Sequence, residues 1–468
     1  MLLTYRQGYG VSISSDLHRA CGVSELEREH SYNGGLVQAK SKVFDRKVIS
    51  WALYDWGNSA FATTVMAGFF PLFFKQYWNV GVEVTTSTFR LGLANSIASL
   101  IVVALAPVLG AIADRGGARK KFLLFFAAMG VVMTGSLFFV VRGSWQLAAL
   151  LYGFGIIGFS GGNVFYDSLL VSVSPGGRED MVSALGFSLG YLGGGLLFAL
   201  NVLMTLNPTW FGLADAGAAV RVSFLLVALW WAVFSLPVML WVKEPPTEER
   251  TRGWAMVSSG FLQLKKTFAE IRKLRVVFLF LVGYWLYIDG VDTIIRMAVD
   301  YGMSLGFPAN SLIVALLITQ FVGFPAAILF GKLGEKLGTK NGILLGIAVY
   351  LGVTVWGRFM DSVAEFYILA VTIGLVQGGV QALSRSFYSR LIPANQAAEF
   401  FGFYNMLGKF AAVIGPILMG VVAILTGNPR HAILAIVVLF LGGGIILYLV
   451  DEKEGARIAQ ELEEKGPK

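Results

Sequence analysis

Long apolar runs alternate with short polar segments along almost the whole chain. A helix needs about 20 mostly apolar residues to cross the hydrocarbon core of a bilayer. Twelve runs have this character, at approximately residues 50–75, 90–113, 121–142, 145–172, 182–205, 220–243, 275–300, 309–332, 341–359, 364–390, 398–426 and 431–450. The connections are short except for the segment that follows Val242. The pattern predicts an all-α integral membrane protein with twelve transmembrane helices.

Composition agrees with this prediction and narrows the function. Of the 468 residues, 56% are hydrophobic and 14% are charged, whereas soluble proteins carry roughly 25% charged residues. The single cysteine, Cys21, excludes a disulfide framework and a thiolate metal site, and His18, His30 and His431 lie far apart in sequence. We therefore expect no metal and no cofactor. Short loops without a Walker motif leave no place for an ATP-driven or catalytic domain, so we expect a protein that is not an enzyme.

The distribution of basic residues predicts the orientation in the membrane. Lysine and arginine are concentrated in the N-terminal segment, the middle loop and alternate short loops, for example at Arg115, Lys121 and Lys336. By the positive-inside rule, both termini and the middle loop face the cytoplasm. The net charge of +8 is then explained by topology and by contact with anionic lipid rather than by nucleic-acid binding. We expect a multi-pass, monomeric protein of the cell (inner) membrane.

Five segments follow from these patterns. They are a cytoplasmic N-terminal tail at 1–46, a first six-helix bundle at 47–243, a cytoplasmic linker with an amphipathic helix at 244–274, a second six-helix bundle at 275–450 and a cytoplasmic C-terminal tail at 451–468. The N-terminal tail has no apolar core of signal-peptide length. It is either a flexible tail or the product of a misassigned start codon. The charged C-terminal tail is expected to form a short helix.

The two halves repeat each other. Gly110, Asp114, Arg115, Gly117 and Arg119 after the second run recur at the same spacing after the eighth run, as Gly331, Glu335, Lys336, Gly338 and Lys340. A parallel repeat of six helices with a cytoplasmic linker is typical of transporters that alternate access to a central site. The glycines allow close helix approach, and the acids can pair with basic residues or with helix N-terminal amides.

We expect this repeated loop to form a cytoplasmic gate, with Asp180 and Glu399 joining it from the starts of the fifth and eleventh runs. The predicted gate residues are Gly110, Asp114, Arg115, Arg119, Asp180, Gly331, Glu335, Lys336, Lys340 and Glu399. The alternative is an ordinary charged turn on the cytoplasmic side. Near the ends of the runs, Trp51, Trp78, Trp145, Trp210, Trp241 and Trp254 fit an interfacial belt.

These motifs resemble a known family. The paired loops are similar to the signature loop of the major facilitator superfamily, apart from Ala118 where a basic residue is usual. The segments 51–65, 183–194, 286–294 and 379–386 resemble the vacuole-effluxer family, which includes the yeast autophagy-related vacuolar amino-acid exporter and many bacterial relatives. The similarity extends over roughly residues 43–455. It implies the twelve-helix major facilitator fold and solute transport, and it leaves the substrate open.

Polar stripes lie inside the predicted spans, where ionisable groups are costly and therefore functional candidates. The cavity candidates are Tyr54, Asp55, Asn58, Asn163, Tyr166, Asp167, Tyr287, Asp289, Asp292, Arg296, Gln377, Gln381, Arg385, Asn405 and Lys409. The resemblance implies that spans 1, 4, 7 and 10 line a central cavity. Asp55 is the first candidate for a proton or substrate-cation site and Asp289 the second, while Asp292 is expected to pair with Arg296.

Two alternatives stay open for these residues. Asp167 and Arg385 lie late in their spans, so they either line the cavity or serve the gate. Asp55 either binds a proton or stabilises a helix end. The whole pattern favours a secondary active transporter that moves a small solute, coupled to protons, with a zwitterion such as an amino acid as a candidate. The alternatives are a receptor or scaffold that keeps a transporter fold, and a transporter of a sugar, peptide or drug.

Overall fold

A computed structural model describes residues 45–175, 177–244, 274–426 and 429–464 of the protein, and these residues are almost entirely helical. The α-helices are α1 Arg46–Ala60, α2 Phe70–Phe73, α3 Val84–Gly116, α4 Arg119–Ser136, α5 Trp145–Ser168, α6 Leu170–Val173, α7 Glu179–Leu206, α8 Ala216–Trp241, α9 Arg275–Ser304, α10 Ala309–Leu337, α11 Thr339–Phe359, α12 Val363–Arg390, α13 Ala397–Thr426, α14 Pro429–Ala432, α15 Val437–Tyr448 and α16 Glu452–Glu464. Short 3₁₀ turns lie at Leu137–Phe139, Pro208–Phe211, Ala394–Gln396 and Ile433–Ile436.

Each of the twelve predicted runs is helical. Within the described ranges, ten helices are long and apolar enough to cross a bilayer, and the predicted runs at 50–75 and 398–426 are not among the ten. The first run is divided, because π-helical segments at Phe61–Phe69 and Phe74–Trp78 interrupt it. Such π segments are frequent at functional sites. The all-helical membrane fold is confirmed, and the count of twelve spans stays a prediction.

Helix starts follow from local capping. Asp215 precedes α8 and accepts the Ala218 amide at 2.7 Å. Ser362 and Glu365 form a reciprocal capping box at the start of α12. Both devices satisfy amide groups that have no partner within the first helical turn.

Two large hydrophobic cores divide the described chain. One contains buried residues between Val48 and Val242 together with Ala398, and the other contains buried residues between Val276 and Val450. We call the described residues before 245 the first half and those after 273 the second half. Large apolar side chains on the outer helix faces are about 60% exposed, as at Leu100, Leu229 and Ile445. Such surfaces are stable against lipid rather than water.

Lysines bind the last backbone carbonyls of a helix at corresponding ends of the two halves. Lys120 donates to the Met239 and Val242 carbonyls at the end of α8, at 2.8 and 2.5 Å. Lys340 donates to the Tyr448 and Val450 carbonyls at the end of α15, at 3.2 and 3.0 Å. A cation at a helix C-terminus satisfies the last carbonyls of the helix and interacts favourably with the helix dipole. We call the end of the molecule that holds Lys120 and Lys340 the basic end.

The predicted tails differ in what the structure describes. The charged C-terminal tail forms α16, as expected, and Gly455 of this helix packs against Leu391 and Val276. The predicted N-terminal tail lies outside the described residues except for Asp45 and Arg46, and almost all of the linker with its amphipathic helix lies outside them as well.

Candidate functional site

Asp114, at the end of α3, joins the two halves at the basic end. Its carboxylate accepts the Arg119 Nε–H at 2.7 Å and the backbone amides of Ala398 and Glu399 at 3.2 and 2.9 Å. Those amides belong to the first turn of α13, so an anion caps a helix of the other half. Arg119 also donates to the Ala394 carbonyl at 2.8 Å. This predicted gate loop therefore contacts the second half directly.

Asp180, in the first turn of α7, makes the corresponding contact for the other pair of helices. It accepts the Thr339 hydroxyl at 2.7 Å, the Arg390 guanidinium at 3.2 Å and the Ser386 hydroxyl. Arg390 also contacts Glu452 of α16 at 3.1 Å. The carboxylate is buried and saturated with donors from the second half, so it holds α7 against α11 and α12.

The two repeated loops are not equivalent in three dimensions. Glu335 occupies the position that corresponds to Asp114, but its side chain is exposed, and so is that of Lys336. Among the described residues, Glu335 takes part in no ion pair or side-chain hydrogen bond. Asp180 instead provides the buried carboxylate that joins the halves on this side of the basic end. Glu399, the counterpart of Asp180, is fully buried beside Asp114, and Arg115 is half-buried.

Glycines at matching positions allow the halves to approach. A Cβ atom on Gly110 would lie 2.2 Å from the Ala398 carbonyl oxygen, and one on Gly331 would lie 2.6 Å from the Ala184 side chain. Backbone contacts at this distance are possible only without a side chain. The loop glycines that follow, Gly117 and Gly338, have φ angles of 54° and 86°, a region that favours glycine.

Arg385 of α12 lies at the centre of a second charged cluster, closer to the middle of the helices. Its guanidinium donates to the Asp167 carboxylate at 3.0 Å, and to the Ser183 hydroxyl and carbonyl, each at 2.9 Å. Asn405 of α13 donates to the other Asp167 oxygen at 3.0 Å. Arg385 is 3% exposed. Four helices, two from each half, therefore meet at this guanidinium and its partners.

Asp55 of α1 is the more accessible carboxylate of this cluster. Its Oδ2 lies 4.0 Å from Arg385 Nη1, and it accepts the Tyr166 hydroxyl at 3.3 Å and the Ser59 hydroxyl at 3.1 Å. Its side chain is 13% exposed, against 10% for that of Asp167. Trp51 stacks on Tyr166 with ring centroids 4.4 Å apart, and both rings lie beside the guanidinium. An aromatic wall thus shields the cluster and supports the cation.

Other predicted polar residues form separate buried pairs. Asn58 donates to Asn163 at 2.7 Å within the first half, and Tyr54 packs against Tyr166 at 5.1 Å. In the second half, the Tyr287 and Ser384 hydroxyls are 2.7 Å apart. Asp289 accepts the Gly415 amide at 3.0 Å, so it contacts the middle of α13 and lies apart from the Arg385 cluster.

The remaining candidates all belong to the second half, and two of them contact residues of the first half. The Lys409 ammonium lies 5.9 Å from the centroid of the Phe159 ring, across the boundary between halves. Gln381 accepts the Tyr191 hydroxyl at 3.4 Å, and Gln377 is buried nearby. Asp292 is half-buried. The expected partner of Asp292, the Arg296 side chain, lies outside the described residues.

Several participants were missing from the sequence prediction. Ser183, Thr339 and Ser386 are hydroxyl residues whose contacts depend on helix packing across the halves. Ser183 and Ser386 lie in segments that resemble the family, but no pattern in the sequence singled out their side chains. Arg390 is a basic residue at a span end, where the charge pattern alone could have identified it. Trp51 and Trp78 are fully buried, so their assignment to an interfacial belt was wrong, whereas Trp210 is 73% exposed.

Comparison with known families matches residues 45–460 to the family described as "Vacuole effluxer Atg22 like". The MFS-type transporter YxiO of Bacillus subtilis is 41% identical over 90% of this chain and 98% of its own length. Autophagy-related protein 22 of Yarrowia lipolytica is 26% identical over 82% of this chain and 79% of its own length.

Solved structures share the fold at low sequence identity. The human organic anion transporter MFSD10 (TETRAN) superposes with a TM-score of 0.66, at 17% identity over 86% of this chain and 99% of its own. The proton:xylose symporter XylE superposes with a TM-score of 0.64, at 12% identity over 88% and 95%. These likenesses show the fold of the major facilitator superfamily.

Proposed function

The chain belongs to the vacuole effluxer Atg22-like family of major facilitator transporters, and from this premise we propose that it is a proton-coupled secondary transporter of a small solute that carries an ammonium group. The observation that supports this proposal is the buried cluster around Arg385. One guanidinium faces two carboxylates, Asp167 at 3.0 Å and Asp55 at 4.0 Å. With both acids ionised, the cluster has one unit of negative charge in excess, which is costly inside a membrane.

A proton or an ammonium group bound at Asp55 removes this excess charge. Asp167 is held by Arg385 and Asn405. Among the described residues, the donors to Asp55 are two hydroxyl groups at 3.1 and 3.3 Å and the more distant guanidinium. Asp55 is therefore the acid that can exchange its partner. Competition between proton and solute for one carboxylate couples their movements, because either ligand neutralises the site and both together do not fit.

The gate contacts supply the second requirement of alternating access. Asp114 and Asp180 join the halves at the basic end, and the Arg385 cluster lies behind them. We propose that the basic end is cytoplasmic, that both termini lie on that side, and that the described arrangement is closed toward the cytoplasm. Release of both carboxylates then opens the route from the central cluster. The protein acts as a monomer in the membrane, and Asp289 is a second site for a proton.

Amino-acid export is a more specific form of the proposal. The Arg385 guanidinium and the Asp55 carboxylate are 4.0 Å apart, so opposite charges are available for the two ends of a zwitterion. The carboxylate of such a solute would have to displace Asp167 or Ser183 from Arg385. The excess of acid in the cluster therefore favours binding through the ammonium end.

Transport into proteoliposomes tests the proposal, with counterflow and pH-gradient-driven uptake measured for amino acids, sugars, peptides and organic amines. We expect Asp55→Asn to lose both counterflow of organic amines and uptake driven by the pH gradient, because the neutral amide neither binds a proton nor pairs with an ammonium group. Asp215→Asn is the matched control, because Asp215 caps an exposed helix start and asparagine caps equally well.

Each part of the proposal has its own contrary result. Uptake by the wild type that ignores pH would exclude proton coupling. If the protein transports amines but shows no amino-acid counterflow, amino-acid export is excluded and the broader transport proposal stands. The protein would be a receptor or scaffold with a transporter fold if it moved none of these solutes. In that case Asp55→Asn would also leave its ligand-free stability and its partner binding unchanged.

A further inference from the structure

A cavity with mainly apolar walls lies within the second half, and its lining on α12 ends at Gln377, eight residues before Arg385. It is formed by α9 to α13 and the 3₁₀ turn at Ile433–Ile436, and its empty volume is about 900 Å³ including its mouth. Its wall consists mainly of aliphatic and aromatic side chains, such as Leu369, Ile373 and Phe366. Pockets lined mainly by apolar side chains, with a few polar groups, are typical binding sites for the apolar parts of small molecules.

The few polar groups in the cavity wall differ in availability. The Tyr301 hydroxyl donates to the Gly357 carbonyl at 2.8 Å, and the Thr319 hydroxyl donates to the Ala315 and Ala370 carbonyls at 3.0 and 3.2 Å. These groups are occupied by the helices that carry them. The Gln320 and Gln377 side chains also line the cavity. They lie on the side that faces α7 of the first half, because Gln320 touches Gly195 and Gln377 touches Tyr191.

Tyr191 connects this wall with the charged cluster. Its ring lies against Gly323 and Gly378 of the second half, where added Cβ atoms would lie 3.0 and 2.6 Å from it. The preceding residue, Gly190, faces Asp55, and a Cβ atom there would lie 3.1 Å from Asp55 Oδ1. Consecutive residues of one helix therefore contact the exchangeable carboxylate and the rim of the cavity.

We propose that this cavity binds the apolar body of an organic ammonium solute whose charged group binds at Asp55, with Tyr191 between the two parts of the site. This assignment rests on the proposed function and adds a substrate class to it. Among the described lining residues, the amide side chains of Gln320 and Gln377 lie on one side and the rest of the wall is mainly apolar. A sugar or other polyhydroxylated solute would therefore lose most of its contacts with water without replacement.

A chain-length series tests the assignment. Binding of n-alkylamines from butylamine to decylamine to nanodisc-reconstituted protein is measured by thermal unfolding, with n-alkanols of equal length as neutral comparators. We expect the affinity for the amines to rise about fourfold with each methylene until the cavity is full. The alkanols should bind more weakly at every length, because they lack the charge that Asp55 recognises.

Cavity variants identify where the chain binds. Ala370→Phe fills the cavity from α12 and should end the gain in affinity at a shorter chain, whereas Ile373→Ala enlarges it and should extend the gain to a longer chain. Ala364→Phe is the matched control on the same helix, at an exposed position. Opposite shifts in preferred length cannot arise from loss of folding.

The outcomes separate this inference from the transport proposal. Chain-length dependence that is identical in wild type, Ala370→Phe and Ile373→Ala would overturn the cavity assignment. Alkanols that bind as tightly as amines would also overturn it and would indicate a lipid acyl chain as the occupant. Amine binding with the expected pattern but without counterflow would refute transport and leave the cavity assigned. Counterflow without chain-length dependence would support transport and refute the cavity assignment.

Discussion

Arg385 of the second half donates a hydrogen bond of 3.0 Å to Asp167 of the first half, and both side chains are at most 10% exposed. The sequence predicted these residues either to line the cavity or to serve the gate, and the two roles are compatible. The pair joins the halves, and Arg385 also lies beside Asp55. Removal of either member leaves a buried charge without its partner, which costs far more than the loss of a surface ion pair.

Arg385→Ala should abolish transport and open the basic end, since Asp55 and Asp167 then face each other without a cation. The cost of breaking a buried pair is about 3–5 kcal/mol. Arg385→Lys should be intermediate, because one ammonium group cannot reproduce the separate contacts to Asp167 and Ser183. The measurement is maleimide labelling of Ser389→Cys, a buried position at the basic end, in a Cys21→Ser background. Equal labelling of Arg385→Ala and the parent would contradict the prediction.

Asp114→Asn should also open the basic end, because the capped amides of Ala398 and Glu399 and the Arg119 guanidinium lose an anionic acceptor. Hydrogen bonds to charged groups contribute about 1.5–3 kcal/mol each. We therefore expect at least a tenfold change in the ratio of open to closed molecules, read by the same cysteine label.

Glu335→Gln is the control that the repeat provides. It removes the same type of charge at the equivalent position, but Glu335 is exposed. Labelling of Ser389→Cys in the Glu335→Gln variant should therefore stay within about twofold of the parent. If both variants opened the basic end to the same extent, the two loops would act symmetrically and the structural difference between them would have no functional meaning.

This contrast shows what the sequence could predict. Helix positions followed from apolar runs because membrane-spanning segments need a length that soluble helices seldom reach as continuous apolar sequence. The repeated loop at the basic end could be recognised from its recurrence in the sequence, and its role as a gate stays a prediction. Asp180 was expected beside Glu335, but the exposure of Glu335 was not foreseen, because it depends on which side of α11 and α12 packs against α7. Trp51 was misassigned for a related reason, since a tryptophan near a span end can face lipid or stack on Tyr166.

Gly110→Ala should impair closure through sterics alone. The added methyl group would lie 2.2 Å from the Ala398 carbonyl oxygen, so α3 and α13 would have to separate. Gly92→Ala is the control on the same helix, where a Cβ atom meets no other described atom within 4 Å. Alanine in place of a helix glycine is otherwise stabilising by about 0.5–1 kcal/mol. Transport should fall at least tenfold in Gly110→Ala only, and a similar loss in both variants would point to a general effect of helix stiffness.

Two ion pairs of Arg390 allow a test of whether the length of a contact or its burial determines how strongly it keeps the basic end closed. It contacts Asp180 at 3.2 Å and Glu452 at 3.1 Å, but the Asp180 side chain is 6% exposed and that of Glu452 is 33% exposed. Asp180 is also held by Thr339 and Ser386, whereas exposed ion pairs contribute about 0–1 kcal/mol.

Asp180→Asn should therefore increase labelling of Ser389→Cys at least tenfold, while Glu452→Gln should change it less than about fivefold despite the shorter contact. The thermal unfolding temperature of each variant in detergent provides the control for folding. A larger effect of Glu452→Gln than of Asp180→Asn would assign the stabilisation of the closed gate to α16. In that case the C-terminal helix, rather than the carboxylate at the start of α7, would determine how readily the basic end opens.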